Sequence, residues 1–410
     1  MASPAGIAVV GASLGGLRAA EQLRAAGWEG AVTVYGDEPH LPYNRPPLSK
    51  EVLAGEAPAA TTALRHRPSV ADVEWRLGTA VESADLAART LTLADGSVHA
   101  YEGLVAATGV RPRRLPLTGG PPRHVVRTLE DSAALRSELG EGVRVLVIGS
   151  GFIGCEVAAT ARKAGCEVTV VAPEAEPMML AVGEGLGRAL RRRHEARGVR
   201  FRLGRLASQL TAESVVLDDG SECGADVVVE AVGSLPNVEW LGASAGVDLT
   251  DGILCDAQLR IGGLAHAVAV GDVARFPNPR YGALARRVEH WSMPTDCAKH
   301  AARVLVAGLT GDGVASSHDA KPFAPLPSFW SDQFDVRVQS FGLPGVGDGV
   351  RLLGGDPDSE DGDVVYGYYL GERMIGVVAL GGAKAVGMAG RYRAELMALP
   401  ETEPSSTSSV

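Results

Sequence analysis

The stretch Ile7-Ala8-Val9-Val10-Gly11-Ala12-Ser13-Leu14-Gly15-Gly16 decides the fold, because the chain says it twice. Four apolar residues, Ile7 to Val10, read as a buried strand. The loop GASLGG follows, then Leu17 to Ala26, built from strong helix formers and stopped by Gly27. Val32-Thr33-Val34-Tyr35 is the returning parallel strand. The second copy runs Val145 to Ile148, the loop GSGFIG (Gly149 to Gly154), a helix through Ala164 ending at Gly165, and Val168 to Val171. Each is a strand–loop–helix–strand unit of about 30 residues, the setting in which a glycine loop becomes a dinucleotide fingerprint. Two such units predict two dinucleotide sites, and the simplest pair is a bound flavin and a nicotinamide.

Such loops work by turning backbone N–H groups and a helix N-terminus toward phosphate oxygens. Gly11 and Gly149 make the tight turn, and Gly16 and Gly154 permit close helix–strand packing. The middle position lets the backbone approach a pyrophosphate. It is Gly151 in the second loop but Ser13 in the first. A serine adds only CH2OH, and its hydroxyl is itself able to bond a phosphate oxygen, so Ser13 reads as a tolerated variant.

Two further apolar strands end in glycine, Leu104 to Gly109 and Val227 to Gly233. Arg111-Pro112 and Leu235-Pro236-Asn237 follow them as chain-reversing connections suited to an inter-domain hinge. Ala267 to Val270 runs into Gly271-Asp272, a strand that delivers a carboxylate at a glycine turn. From about Lys321 short alternating segments (Val336 to Phe341, Val364 to Leu370, Met374 to Leu380) predict an antiparallel sheet. A closing helix is expected near Gly390 to Ala398, and the polar stretch Pro400 to Val410 reads as a disordered tail.

Composition narrows the class. A chain of 410 residues accommodates two or three domains. No run approaches the roughly 18 apolar residues that span a bilayer, and Met1 to Gly6 is too short for a signal peptide, so a cytoplasmic protein is expected. The five cysteines, Cys155, Cys166, Cys223, Cys255 and Cys297, never fall within ten residues of each other. That excludes a C-x-x-C redox pair and a zinc knuckle, and no metal site is expected. A net charge of −10 argues against nucleic-acid binding.

Thr33 to Lys50, with TVYGDEPHLPYNRPPLSK, resembles the equivalent stretch of FAD-dependent ferredoxin reductases of the putidaredoxin-reductase and dioxygenase-reductase type, in the glutathione-reductase-like superfamily. Phe329 to Phe334 (FWSDQF) resembles the hallmark of that family's C-terminal domain, and Val288 to Trp291 and Gly271 to Phe276 match as well. The resemblance covers residues 6 to about 398. It implies an α/β protein with two Rossmann-like domains and a C-terminal α+β interface domain. The FAD domain would take residues 1–112 and 240–318, the inserted NAD(P) domain 113–239, the interface domain 319–399 and the tail 400–410.

The resemblance also implies roles. Asp37 would meet the adenosine ribose of FAD, and Lys50, Arg127 and Asp272 would lie along its ribityl, phosphate and ring regions. Trp291 would pack near the isoalloxazine. The other positions expected at FAD are Gly11, Ser13, Gly15, Gly16, Glu38, Arg45, Val81, Thr108, Gly109 and Trp330. Gly149, Gly151, Phe152, Ile153, Gly154, Glu156, Glu174, Val232 and Gly233 are expected at the nicotinamide dinucleotide. Lys50 and Glu156 would meet beside the flavin ring, the ammonium stabilising charge on the reduced flavin and the carboxylate holding the ammonium. Spacing alone leaves other readings: Glu156 on the first turn of its helix would stabilise the dipole, Lys50 would be a surface lysine, and Trp291 and Trp330 would be core aromatics.

Nicotinamide choice departs from the family. NADH-dependent members usually end the second strand of this unit with a ribose-binding acid, and here Ala172 holds the place. Glu174, which aligns with Glu38 of the first repeat, is the candidate replacement, favouring NADH with NADPH as the rival. Residues 36 to 60 contain no cysteine, which excludes disulfide-reductase and peroxidase chemistry. Hydride is therefore expected to pass to the flavin, and single electrons to an external carrier, which the resemblance implies is a [2Fe–2S] ferredoxin serving a cytochrome P450 or a dioxygenase. A rubredoxin, quinone or small-oxidant reductase and an NAD(P)H-sensing flavoprotein are the alternatives, and either a monomer or a homodimer fits. Leu186 to Arg205 carries eight arginines and one acid, either a ferredoxin-docking surface or a solvated helix face. Arg286, Arg287 and the cluster Arg65-His66-Arg67 are rival patches.

Overall fold

The computed structural model describes residues 6–242, 244, 246–311, 321–359 and 362–398. The expected tail at 400–410 lies outside the described residues. Two five-stranded parallel sheets carry the two repeats. In the first, Ile7–Val10 lies between Val32–Tyr35 and Gly103–Ala106, with Ile7 opposite both Val32 and Gly103. Glu74–Arg76 and Ala267–Ala269 complete it. In the second, Arg144–Ile148 lies between Glu167–Ala172 and Val227–Glu230, with Arg200–Leu203 and Arg123–His124 outside them. Ile7–Val10 is buried throughout, as a parallel strand covered on both faces must be. Each glycine loop leaves the carboxyl end of a central strand, where ligands sit in doubly wound sheets.

The segments expected to reverse the chain instead pair with each other. Val110–Pro112 and Ser234–Pro236 form a two-stranded antiparallel ribbon, Ser234 opposite Pro112 and Pro236 opposite Val110. Proline pushes the residue before it toward extended backbone, which favours a strand over a turn here. Both crossings between the sheets therefore run side by side.

The third layer is a five-stranded antiparallel sheet ordered Ser328–Gln333, Val336–Gly342, Arg373–Gly381, Val364–Leu370, Gly349–Gly355. Ser328–Gln333 alternates, with Phe329, Ser331 and Gln333 on the buried face. The expected closing helix is two helices, Ala383–Arg391 and Arg393–Met397, meeting at Tyr392. Glycines at 381, 382, 387 and 390 hid the first of them from its composition. Buried Arg280 clasps the end of the second, its Nη1 donating to the carbonyls of Leu396, Met397 and Ala398 at 3.1, 2.6 and 3.0 Å. That satisfies carbonyls a helix C-terminus leaves free.

Candidate active site

Both glycine loops are shaped by close approach. Gly11 has φ +116° and Gly149 φ +105°, and a Cβ on either would lie 2.2 or 2.3 Å from the carbonyl oxygen of Ala107 or Ala231. A Cβ on Gly16 or Gly154 would lie 1.9 or 2.0 Å from the oxygen of Gly11 or Gly149. The middle position is different. Ser13 and Gly151 have φ −111° and −75°, open to any residue, and a Cβ on Gly151 would meet no protein atom within 4 Å. The chain itself does not demand glycine there, which explains why Ser13 is accommodated. Gly15 makes only ordinary contacts with Ala107 and Val270. The helices Leu14–Ala25 and Phe152–Lys163 have no side-chain cap and no acid in the first turn. Their free N–H groups and open loops fit a dinucleotide pyrophosphate.

Around the first loop, Asp37 is exposed just past Val32–Tyr35. Thr79 N bonds Gly36 O at 2.6 Å and Gly78 N bonds Glu38 O at 3.0 Å, drawing the chain that leads to Val81 alongside this corner. Glu38 offers no free acid: Arg45 Nη2 lies 2.6 Å and the Tyr43 hydroxyl 2.5 Å from its carboxylate. Arg45 Nη1 also donates to the Arg127 carbonyl at 2.7 Å, while its buried Nε has no protein partner among the described residues. Thr108 and Asn237 bond reciprocally, hydroxyl to carbonyl at 2.7 Å and amide to carbonyl at 2.9 Å, pinning the two crossings together.

Arg127 and Asp272 lie near enough for each charge to act on the other. A Cβ on Gly109 would sit 3.4 Å from Arg127 Nη2. Burial, and then the neighbouring Arg45 charge, pull the Arg127 guanidinium below its usual range. Burial pushes the Asp272 carboxyl up to about 6, against the pull of Arg127, with Glu289 pushing it further up. Burial holds His290 down to about 4, and its Nδ1 is buried without a protein partner among the described residues. Cations, a buried carboxyl and nitrogens left without protein partners among the described residues fit a polar ligand such as FAD.

Lys50 and Glu156 form a charged pair that joins the two loops' units. Lys50 Nζ lies 2.6 Å from Glu156 Oε2, with the side chains 12 % and 5 % exposed. Lys50 is therefore no surface lysine. The helix begins at Phe152, which puts Glu156 in its second turn, and its carboxylate serves Lys50 in place of the helix end. Ser49 Oγ donates to Glu156 Oε2 at 2.5 Å, and Ser331 Oγ to Oε1 at 2.6 Å. The Pro46–Ser49 turn is held in place by Ser132 Oγ on Leu48 O and Thr160 Oγ1 on Ser49 O, both 2.8 Å.

On the second loop's side, Val232 and Gly233 follow Val227–Glu230, and Gly233 has φ +91° with open space where a Cβ would go. Phe152 packs edge-on against Phe329 with centroids 4.7 Å apart, and Ile153 is exposed. Half-buried Glu174 stands just past Ala172; their carbonyls accept from Gly204 N and Arg205 N at 3.1 and 3.0 Å. The Arg205 guanidinium beside this corner is engaged by Asp219 at 2.7 Å.

Trp291 is 40 % exposed, which rules out a core role, and its Nε1 donates to Asn44 Oδ1 at 2.9 Å. It meets half-buried Trp330 edge-on, centroids 5.2 Å apart. The arginine-rich segment is largely spent internally. Arg188 and Arg191 pair with Glu176, Arg192 with Asp358, Arg197 with Asp335 and Arg200 with Glu167, while Arg193 is buried. All five cysteines are free, and no group of metal-ligating side chains occurs among the described residues. No described helix is long and apolar enough to cross a membrane.

Sequence reasoning missed Ser49, Asn44, Asn237 and Glu289 at the site. Glu289, just past Ala285–Arg287, accepts from Ser234 Oγ of the ribbon at 2.7 and 2.8 Å. Period-2 alternation in FWSDQ was a signal that Ser331 and Gln333 share the buried face.

Residues 5–296 match the pyridine nucleotide-disulphide oxidoreductase family, and residues 328–401 the reductase C-terminal family. The chain is 37 % identical to the anthranilate 1,2-dioxygenase system ferredoxin–NAD(+) reductase component of Burkholderia cepacia, over 93 % of this chain and 92 % of that one. It is 32 % identical to putidaredoxin reductase of Pseudomonas putida, over 90 % and 87 %. The crystal structure of the ferredoxin reductase for the CYP199A2 system from Rhodopseudomonas palustris superposes with a TM-score of 0.84 at 36 % identity, covering 95 % and 94 %. The covalent putidaredoxin reductase–putidaredoxin complex gives a TM-score of 0.84 at 30 % identity, covering 96 % and 94 %.

Proposed function

The chain belongs to the pyridine nucleotide-disulphide oxidoreductase family, and on that premise we propose that its two glycine loops, the Lys50–Glu156 pair and the tryptophan face form one electron path, from NAD(P)H through FAD to a [2Fe–2S] ferredoxin. The enzyme is an FAD-dependent NAD(P)H:ferredoxin oxidoreductase. Bound FAD supplies the conversion of a two-electron hydride into single electrons.

The observation that carries the site assignment is the Lys50–Glu156 contact at 2.6 Å. It joins the segment after the first loop to the helix of the second, where the two dinucleotides must meet. The first loop, Asp37, Arg127 and Asp272 hold FAD, and the second loop with Glu174 holds the nicotinamide dinucleotide. Lys50 sets a positive charge where reduction adds negative charge, and Glu156 keeps the ammonium in place. Trp291 and Trp330 line the acceptor side, where an exposed indole serves as a docking anchor. We place the FAD-binding unit at 1–112 and 240–318, the nicotinamide unit at 113–239 and the interface unit at 319–399.

The ferredoxin serves a dioxygenase or a cytochrome P450, the two kinds of system named for the relatives, and the protein acts in the cytoplasm as a monomer or homodimer. Turnover tests this: NAD(P)H-dependent cytochrome c reduction should require added [2Fe–2S] ferredoxin. Equal rates without ferredoxin would reject the reading.

A further inference from the structure

Glu156 is the end of a buried chain of hydrogen bonds that runs away from Lys50. Ser331 Oγ donates to Glu156 Oε1 at 2.6 Å. Gln333 Nε2 donates to Ser331 Oγ at 2.9 Å and reaches Met178 Sδ at 3.4 Å. The Gln333 carbonyl Oε1 lies 2.8 Å from His194 Nε2, which must carry the hydrogen for that bond to form. Ser331, Gln333 and His194 are all 1 % exposed or less. The edges of Phe201 and Phe334 enclose the His194 ring, with centroids 5.9 and 5.0 Å away.

The direction of these bonds is uniform. His194 donates to Gln333, Gln333 to Ser331 and Ser331 to Glu156, while Ser49 and Lys50 donate to the other carboxylate oxygen. A carboxylate that accepts fixed donors at both oxygens has one orientation, and a low-dielectric setting strengthens each bond. The scaffold comes from four elements: the turn before Lys50, the helices Phe152–Lys163 and Met179–Ala196, and the strand Ser328–Gln333. Trp330, on the opposite face of that strand, meets Trp291.

We propose that Ser331 and Gln333 are positioning residues for electron entry: held by His194, they fix the Glu156 carboxylate, and through it the Lys50 ammonium, at the flavin ring. The proposal rests on the placement of FAD against Lys50 given above. Ser331→Ala takes away the donor to Oε1, so the carboxylate is held at Oε2 alone and the ammonium, which also donates to the Pro46 carbonyl at 3.1 Å, sits less firmly.

The test uses the full-length, FAD-loaded protein and reads both the flavin midpoint potential and the rate of flavin reduction by NADH. Ser331→Ala should shift the potential negative and slow reduction roughly tenfold, the scale of a lost bond to a charged group. Ser331→Thr, which keeps the hydroxyl, should restore both. In a Glu156→Ala background Ser331→Ala should add nothing, because its effect passes through that carboxylate. Should Ser331→Ala fail to retain FAD, Gln333→Met removes the next link and should give the same two changes. Parent-like potential and rate in these variants, or an undiminished effect in the Glu156→Ala background, overturns the proposal. Lys50→Ala run in parallel separates the failures: if it too leaves the potential unmoved, the flavin placement is at fault and not the network.

Discussion

Lys50 Nζ lies 2.6 Å from Glu156 Oε2, although the lysine follows the first dinucleotide unit and the glutamate sits inside the second. The contact joins the two repeats at the point where we propose that their ligands meet, and it sets a cation there. Removing the cation should cost electron entry more than folding. Lys50→Ala should slow NADH-driven flavin reduction roughly 100–1000-fold, the range for losing one preorganised charge-stabilising group. Stopped-flow absorbance checks it, and a parent-like rate removes Lys50 from the site.

The two loops make opposite demands at neighbouring positions. Gly11→Ala drives a Cβ to 2.2 Å from Ala107 O at a positive φ, so the variant should purify without FAD. Gly151→Ala meets only open space, so it should melt like the parent. Its methyl should instead raise the nicotinamide KM roughly tenfold, about 1.4 kcal/mol. An unchanged KM would mean that this loop takes a Cβ beside its dinucleotide as the first loop does at Ser13.

Glu174 is the proposed replacement for the acid missing at Ala172. Glu174→Ala should raise the NADH KM several-fold, about 1 kcal/mol for a lost ribose hydrogen bond, with little change in kcat. Steady-state kinetics with NADH and NADPH side by side decides the matter. Equal constants in parent and variant reject a ribose role.

Trp291 should matter most on the acceptor side. Trp291→Ala should raise the KM for ferredoxin roughly tenfold, the scale of an aromatic anchor, and slow NADH-driven reduction much less. A loss confined to the NADH step would place this indole on the wrong face.

Asp272 gives a pH signature. Its folded-state pKa, raised from 3.8 to about 6, means that the folded protein holds this proton more tightly than the unfolded chain. Its contribution is therefore present below about pH 4 and lost as pH rises through about 6. His194 and His290, lowered to about 4 by burial, act in the opposite sense, so the comparison must be with a single variant. Relative to Asp272→Asn, the flavin-free parent should lose roughly 1–3 kcal/mol of stability between pH 4 and 6.5 and stay level above it. A pH-independent difference in denaturant unfolding would contradict this.

Local chemistry made much of this fold legible. Gly11, Gly16, Gly149 and Gly154 could be read because a turn and a close helix–strand crossing leave room for nothing else. Lys50 and Glu156 were legible only through the family resemblance, since no local pattern ties two residues so far apart. Where the arginines of Leu186 to Arg205 find acids was not legible. Glu176, Asp335 and Asp358 reach them only through tertiary packing. Ser331 and Gln333 announced a shared strand face, but not that Glu156 and His194 lie under it. The ribbon between the crossings looks like two turns in the sequence because each half, taken alone, has no partner to pair with.

The most direct test of the account is a double-mixing experiment on the FAD-loaded protein. NADH is mixed first to bleach the flavin, then oxidised [2Fe–2S] ferredoxin is added in the absence of oxygen. Rapid bleaching, followed by rapid return of flavin absorbance with reduction of the ferredoxin, is the result predicted. A flavin that stays bleached after ferredoxin is added, or one that a quinone discharges equally fast, would contradict it.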